Sequence, residues 1–169
     1  MTKNSARAFY LWIAFVVVLL DRWTKHIVAK RISPYAHIQV IPGFFRLTHT
    51  ENTGAAFSLF ADSTGPWKTG LLIAFSVIAL VVVSVLLWKN HHAQVVSGIG
   101  LALIMGGAVG NLWDRLVRGR VVDFLLFYVK RYQWPVFNLA DSAIVVGAGL
   151  LVLEILFHKS SSHEESRPD

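Results

Sequence analysis

The chain has 169 residues, of which 15% are charged and 54% are A, V, I, L, M, F, W, Y or C, with a mean hydropathy of +0.53. A soluble domain carries roughly 25% charged residues, and a chain this short cannot hide so much apolar surface from water, so its solvent is a bilayer. The net charge of +6 is scattered among apolar segments, which argues against nucleic acid and for an anionic lipid surface. Cysteine is absent, which excludes disulfides, thiolate metal sites and a cysteine nucleophile.

Lys3 and Arg7 precede the apolar run Phe9–Leu20, which has the length of a signal peptide, but no small-x-small cleavage site follows. Asp21-Arg22-Trp23-Thr24-Lys25 follows instead. Asp21 and Lys25 stand four apart on one helical face and can pair, which predicts an uncleaved first span over about residues 8–29. Next, His37–Ile41 and Phe44–Thr50 are short β-favouring runs split by the turn pair Pro42-Gly43. Asn52-Thr53-Gly54 marks a second turn before an apolar strand, Ala55–Phe60. Residues of about 30–66 thus read as a small β-cradle on the membrane surface.

Leu71–Trp88 is uncharged for 18 residues and bracketed by Trp67-Lys68 and Trp88-Lys89, an interfacial belt at each end. Val95–Trp113 adds 19 uncharged residues, and Lys89–Gln94 is a short enough link to make the two a helical hairpin. The second and third spans are read as about 67–88 and 95–114, followed by a sizeable loop, 114–135, on the side of the cradle. Val136–Phe157 is the fourth run, a span of about 136–157 interrupted by Asp141 and Glu154, and 159–169 is a polar, disordered tail. The expected fold is one integral membrane domain over 1–169, all-α and polytopic, with both termini opposite the cradle.

Ionisable groups at membrane depth are costly and by default suggest function. Asp141 is placed about five residues into the fourth span, with Asn138 three residues earlier on the same face. Asp123, in Val121-Val122-Asp123-Phe124, follows the third span among apolar neighbours. If the third and fourth helices pack together, the two acids meet at one interface and share a proton, one activating water and one polarising a carbonyl. The plainer alternative is two separate helix-end carboxylates bonded to backbone. Gly107, Gly110, Asn111 and Asp114 follow helical spacing beside Arg115. Asn111 and Arg115 could hold peptide carbonyls or a phosphate, whereas Gly106 and Gly110 form a GxxxG pattern that usually means helix packing, with Ala143 and Gly147 as a matching surface. Glu154 reads as an interfacial partner of His158. No HExxH or GxSxG occurs, so no metal or other cofactor is assigned and a serine nucleophile is disfavoured.

Five blocks stand in order: Asp21-Arg22-Trp23-Thr24-Lys25, Asn52-Thr53-Gly54-Ala55-Ala56-Phe57-Ser58, Gly106 through Arg115, Val121-Val122-Asp123-Phe124 and Phe137-Asn138-Leu139-Ala140-Asp141-Ser142. Together they resemble the lipoprotein signal peptidase (signal peptidase II) family of bacterial membrane aspartic proteases, from the first span to the fourth. Arg22 departs from the family pattern, where Gln is expected; it should face lipid headgroups or a neighbour. The resemblance implies that Asp123 and Asp141 are the catalytic pair. It implies that Asn52, Asn111, Arg115 and Asn138 bind substrate or a globomycin-type inhibitor, and that Asp21, Lys25, Gly54 and Asp114 support them. Implied partners are diacylglyceryl-modified prolipoproteins, cut before the lipidated Cys, and membrane phospholipids, with the enzyme a monomer. The implied location is the bacterial inner membrane, with cytoplasmic termini and an extracytoplasmic cradle and site.

Charge alone votes otherwise. Lys3, Arg7, Lys89, Lys159 and Arg167 go with the termini, whereas Lys30, Arg31, Arg46, Lys68, Arg115, Arg118, Arg120, Lys130 and Arg131 go with the two larger loops. The positive-inside rule puts those loops in the cytoplasm; five ordered motifs outweigh that count. Two other classes stay open on the residues: a proton or solute conduit using buried acids as relays, and a non-catalytic lipid-binding scaffold. Four helices without an inverted repeat leave the conduit little room.

Overall fold

The structure is a computed structural model describing residues 3–34, 36–54, 67–89 and 95–164, with the side chains of 68 and 158–164 excepted. Its elements are α1 (Lys3–Arg31), β1 (His37–Ile41), β2 (Phe45–Asn52), α2 (Trp67–Lys89), α3 (Val95–Arg118), β3 (Val121–Val129), β4 (Tyr132–Gln133) and α4 (Leu139–Glu164). All four helices are long and apolar enough to cross a membrane. Trp67 and Trp88, both exposed, stand twenty-one residues apart on α2, about 32 Å at 1.5 Å per residue and matched to a hydrocarbon core of about 30 Å. At the far end of α2 the Arg7 guanidinium lies 4.1 Å from the Trp88 ring centroid and donates to the Trp88 carbonyl at 2.8 Å.

Helix α3 is the hub, packing against α1, α2 and α4. Its glycines allow this. A Cβ at Gly106 would stand 2.7 Å from the Ala14 carbonyl oxygen of α1, and one at Gly107 only 2.3 Å from that of Ala140 in α4. Gly100 and Gly147 meet each other's carbonyls across the α3–α4 crossing. The small-residue pattern is therefore split. Gly106 looks toward α1, Gly110 looks mainly at Asp21 of α1, and Gly147 meets Gly100 rather than the GxxxG pair. Close backbone approach replaces hydrophobic driving force between helices in lipid.

Four antiparallel strands form one sheet in the order β1-β2-β3-β4. The connection expected as a loop over 114–135 is instead the end of α3 and half of this sheet. The strand over Val121–Val129, in which six of nine residues are β-branched or aromatic, is released by Gly119, whose φ of +68° suits a helix-ending left-handed turn. Because β2 pairs with β3, the α1–α2 and α3–α4 connections share one side of the helices. Phe45, Phe127 and Phe137 stack, and Phe44 meets Phe127 edge-on. The expected strand Ala55–Phe60 lies outside the described residues, as do residues 90–94 of the hairpin link and 165–169 of the tail. Helix α4 continues to Glu164, through the first part of the tail expected to be disordered.

Candidate active site

Helix α4 begins at Leu139, later than the apolar run suggests, because Phe137 is still paired with the sheet. Its N–H donates to the Leu125 carbonyl at 3.1 Å, and its own carbonyl accepts from Leu125 and Phe124. That bridge puts Asn138 at the N-cap of α4 and beside Asp123 of β3. Asp141 is consequently in the first turn of α4, nearer its start than the sequence suggested. Asn138 and Asp141 make a reciprocal capping box: the Asn138 Oδ1 accepts the Asp141 N–H at 2.9 Å, and the Asp141 Oδ2 accepts the Asn138 N–H at 3.2 Å. Asp123, expected after the third span in a loop, comes instead from strand β3 of the sheet.

Both carboxyl groups border one cavity of about 540 Å³, together with Asn52, Asn111, Arg115 and Ser142. Three side-chain amides converge on them. Asn52 donates to Asp123 Oδ2 at 2.9 Å, Asn138 to Asp123 Oδ1 at 2.6 Å, and Asn111 to Asp141 Oδ1 at 2.8 Å. Asp123 is 2% exposed. Burial, opposed by its amide donors and reinforced by the charge of Asp141, pushes its carboxyl up to about 6. The Arg115 guanidinium holds the carbonyl of Asn111 at 3.3 Å and feels the charges of Asp141, Asp123 and Asp114. The rest of the cavity is apolar, and Val145 and Val146, highly exposed on α4, carry it onto the flank that faces lipid.

Behind the cavity sits a second polar cluster. Lys25 donates to Asp21 and Asn111 and pairs with Asp114, at 2.8, 2.9 and 2.9 Å. Asp114 also pairs with Arg22, so Arg22 has a protein neighbour and lies near the Trp113 ring. Asp21 accepts the Ala140 N–H at 3.1 Å, tying α1 to the first turn of α4. Gly54 takes part through its backbone, donating to Asn52 Oδ1 at 2.8 Å. The expected residues thus divide into Asp123, Asp141, Asn52, Asn111 and Arg115 lining the cavity, Asn138 fully buried and bonded to both acids, and Asp21, Lys25, Gly54 and Asp114 behind them. Glu154 stands apart and accepts from Ser97 of α3; the side chain of His158 lies outside the described residues. Among the described residues no group of three His, Cys, Asp or Glu is placed to hold a metal.

The sequence model of the family described as signal peptidase (SPase) II matches residues 13–157. The chain is 43% identical to a lipoprotein signal peptidase of Alteromonas mediterranea, covering 93% of this chain and 85% of that protein. It is 43% identical to one from Haemophilus ducreyi, covering 97% of this chain and 100% of that protein. A bacterial membrane enzyme solved at 2.3 Å superposes with a TM-score of 0.82 at 29% identity, covering 96% of this chain and 94% of that one. A second, solved at 1.9 Å, gives 0.79 at 29% identity over 88% and 93%. With a four-helix membrane fold, a mostly apolar cavity bordered by two carboxyl groups and a family match over most of its length, the chain belongs to the signal peptidase II family.

Proposed function

We propose that the chain is an aspartic endopeptidase that removes signal peptides from diacylglyceryl-modified prolipoproteins, cutting before the lipidated Cys. The observation that carries this reading is the convergence of Asp123 and Asp141, joined through Asn138, on one cavity that opens toward lipid. Two acids in a poorly hydrated site hold one proton between them. Asp141 takes the role of base: both of its oxygens accept N–H bonds, and it lies at the N-terminal end of α4. Asp123 keeps its proton to about pH 6.

In the proposed reaction, water between the carboxyl groups attacks the scissile carbonyl and gives a proton to Asp141. Asp123 protonates the carbonyl oxygen, leaving a neutral diol. The C–N bond then breaks as Asp141 returns its proton to the leaving nitrogen, and a diol hydroxyl returns one to Asp123. Acyl chains remaining in the bilayer beside Val145 and Val146 hold the junction at the acids, which supplies effective concentration. Arg115 steadies peptide carbonyls or the lipid-linked end. The site lies near the outer face of the bacterial inner membrane, with cytoplasmic termini. Of the nine cationic residues on the sheet side, Arg115 serves the cavity and Arg120 pairs with Glu51 at 3.1 Å, so the loop charge is smaller than its count.

Purified protein incubated with a diacylated precursor, an unmodified precursor and a globomycin-type inhibitor tests this. Cleavage before the modified Cys, blocked by the inhibitor and absent for the unmodified precursor, is expected. Solute or proton flux in vesicles without any peptide hydrolysis would contradict it.

A further inference from the structure

Each of the three amides around the acids is turned by a group that can only donate. A side-chain amide has an accepting end and a donating end, and whichever end meets the carboxyl decides whether ionisation is favoured. Asn52 presents its NH2 to Asp123 because its oxygen is taken by the Gly54 N–H, and Asn138 because its oxygen is taken by the Asp141 N–H. Both are backbone locks. The Asn111 oxygen is taken by the Lys25 ammonium at 2.9 Å, which makes Lys25 the side-chain lock of the set. Asn138 also reaches the Asn111 oxygen, at 3.2 Å, but its NH2 lies closer to Asp123, at 2.6 Å. A charge-assisted bond outweighs that longer neutral one.

We propose that Lys25 is a positioning residue that fixes the direction of the Asn111 amide and so keeps Asp141 the accepting member of the acid pair. This rests on the two-aspartate reading above. Lys25 is 1% exposed; its ammonium donates to Asp21 and Asn111 and stands 2.9 Å from Asp114 Oδ2 as an ion pair. It does not line the cavity; its direct Coulomb effect on Asp123 is the smallest of the influences on that carboxyl, and its hydrogen-bonded link to the reacting groups is Asn111. With Arg22, Asp21 and Asp114 the cluster is electrically neutral. The groups that face Asp141 are Asp123 from β3, Arg115 and Asn111 from α3, and, beyond Asn111, Lys25 and Asp21 from α1 with Asp114 from α3. Without Lys25, Asn111 can turn its oxygen toward Asp141, which favours the protonated carboxyl.

The experiment measures cleavage of a diacylated precursor against pH for Lys25→Met, Asn111→Ala and the double variant. Lys25→Met is expected to lower kcat about 10- to 100-fold, the worth of one hydrogen bond to a charged group, with KM changed less than about twofold. The acidic limb of its rate profile moves to higher pH. In the Asn111→Ala background the same change costs no further kcat. A Lys25→Met enzyme with the native kcat and profile overturns the proposal, and so does an equal loss with Asn111 already removed. Because Lys25→Met leaves Asp21 buried without a cation, Asp114 keeping Arg22, Asp21→Asn/Lys25→Met restores the charge balance and carries the same expectations. If neither accumulates, Asn111→Asp decides: it gains an ion pair with Lys25 but sets a carboxylate against Asp141, so native activity in that variant overturns the proposal and a loss with an alkaline-shifted acidic limb supports it. Asp123→Asn and Asp141→Asn in the same assay separate the two readings. Activity in either contradicts the aspartate pair, whereas inactive aspartate variants with an unaffected Lys25→Met contradict this inference alone.

Discussion

Asp123→Asn should change how stability depends on pH. The Asp123 carboxyl is held at about 6 in the folded chain against 3.8 for an ordinary aspartate. Between those values the folded protein binds a proton that the unfolded chain has released, so stability falls as pH rises. The contribution is fully present below about pH 4 and is lost as pH passes through 6. The difference of about two units corresponds to about 3 kcal/mol in all, of which about 1 kcal/mol is lost between pH 5 and 7. The assay is equilibrium unfolding of the detergent-solubilised protein at several pH values, native beside Asp123→Asn. Groups remote from the cavity behave alike in both proteins and cancel in the difference. The new amide meets the NH2 groups of Asn52 and Asn138, which adds an offset that does not vary with pH. The native protein should lose about 1 kcal/mol relative to the variant from pH 5 to 7. A flat difference across that window would refute the claim that burial and Asp141 hold the proton on Asp123.

Asp141→Asn should move the Asp123 transition to lower pH in the same measurement, because the charge of Asp141 helps hold it up; an unmoved transition would mean the acids do not sense each other. Asn138→Ser keeps an N-cap and should cost little stability, whereas Asn138→Ala should cost about 1 kcal/mol. Both lose the amide to Asp123 and should be strongly impaired in cleavage, so a fully active Ser variant would reduce Asn138 to a cap. Gly107→Ala sets a methyl group 2.3 Å from the Ala140 carbonyl oxygen and should destabilise by about 1–3 kcal/mol. Because Ala140 adjoins Asp141, activity should fall with it, and Gly149→Ala, which meets open space, is the neutral control.

The spans were legible because a bilayer demands long apolar helices and tryptophan marks their ends: Trp67 and Trp88 bracket α2 as read. The hairpin at Pro42-Gly43 was legible from its turn residues, and the Asn138–Asp141 spacing of three already contained the capping box. What the sequence hid depends on distant partners. Val121–Val129 followed a helix and looked like part of a loop, although six β-branched or aromatic residues among those nine, between Gly119 and Lys130, were the available signal. Its pairing with β2, seventy residues earlier, brings Asn52 to Asp123, and no local pattern announces that. The three amide orientations were equally hidden, since each is set by a donor visible only once the chain is folded.

The two-aspartate account is tested most directly by one cleavage assay with the native protein, Asp123→Asn and Asp141→Asn on a diacylated precursor, read by mass spectrometry of the products. The account predicts a single break before the lipidated Cys by the native protein and none by either variant, with both variants folded. Cleavage at the native rate by either variant would contradict it.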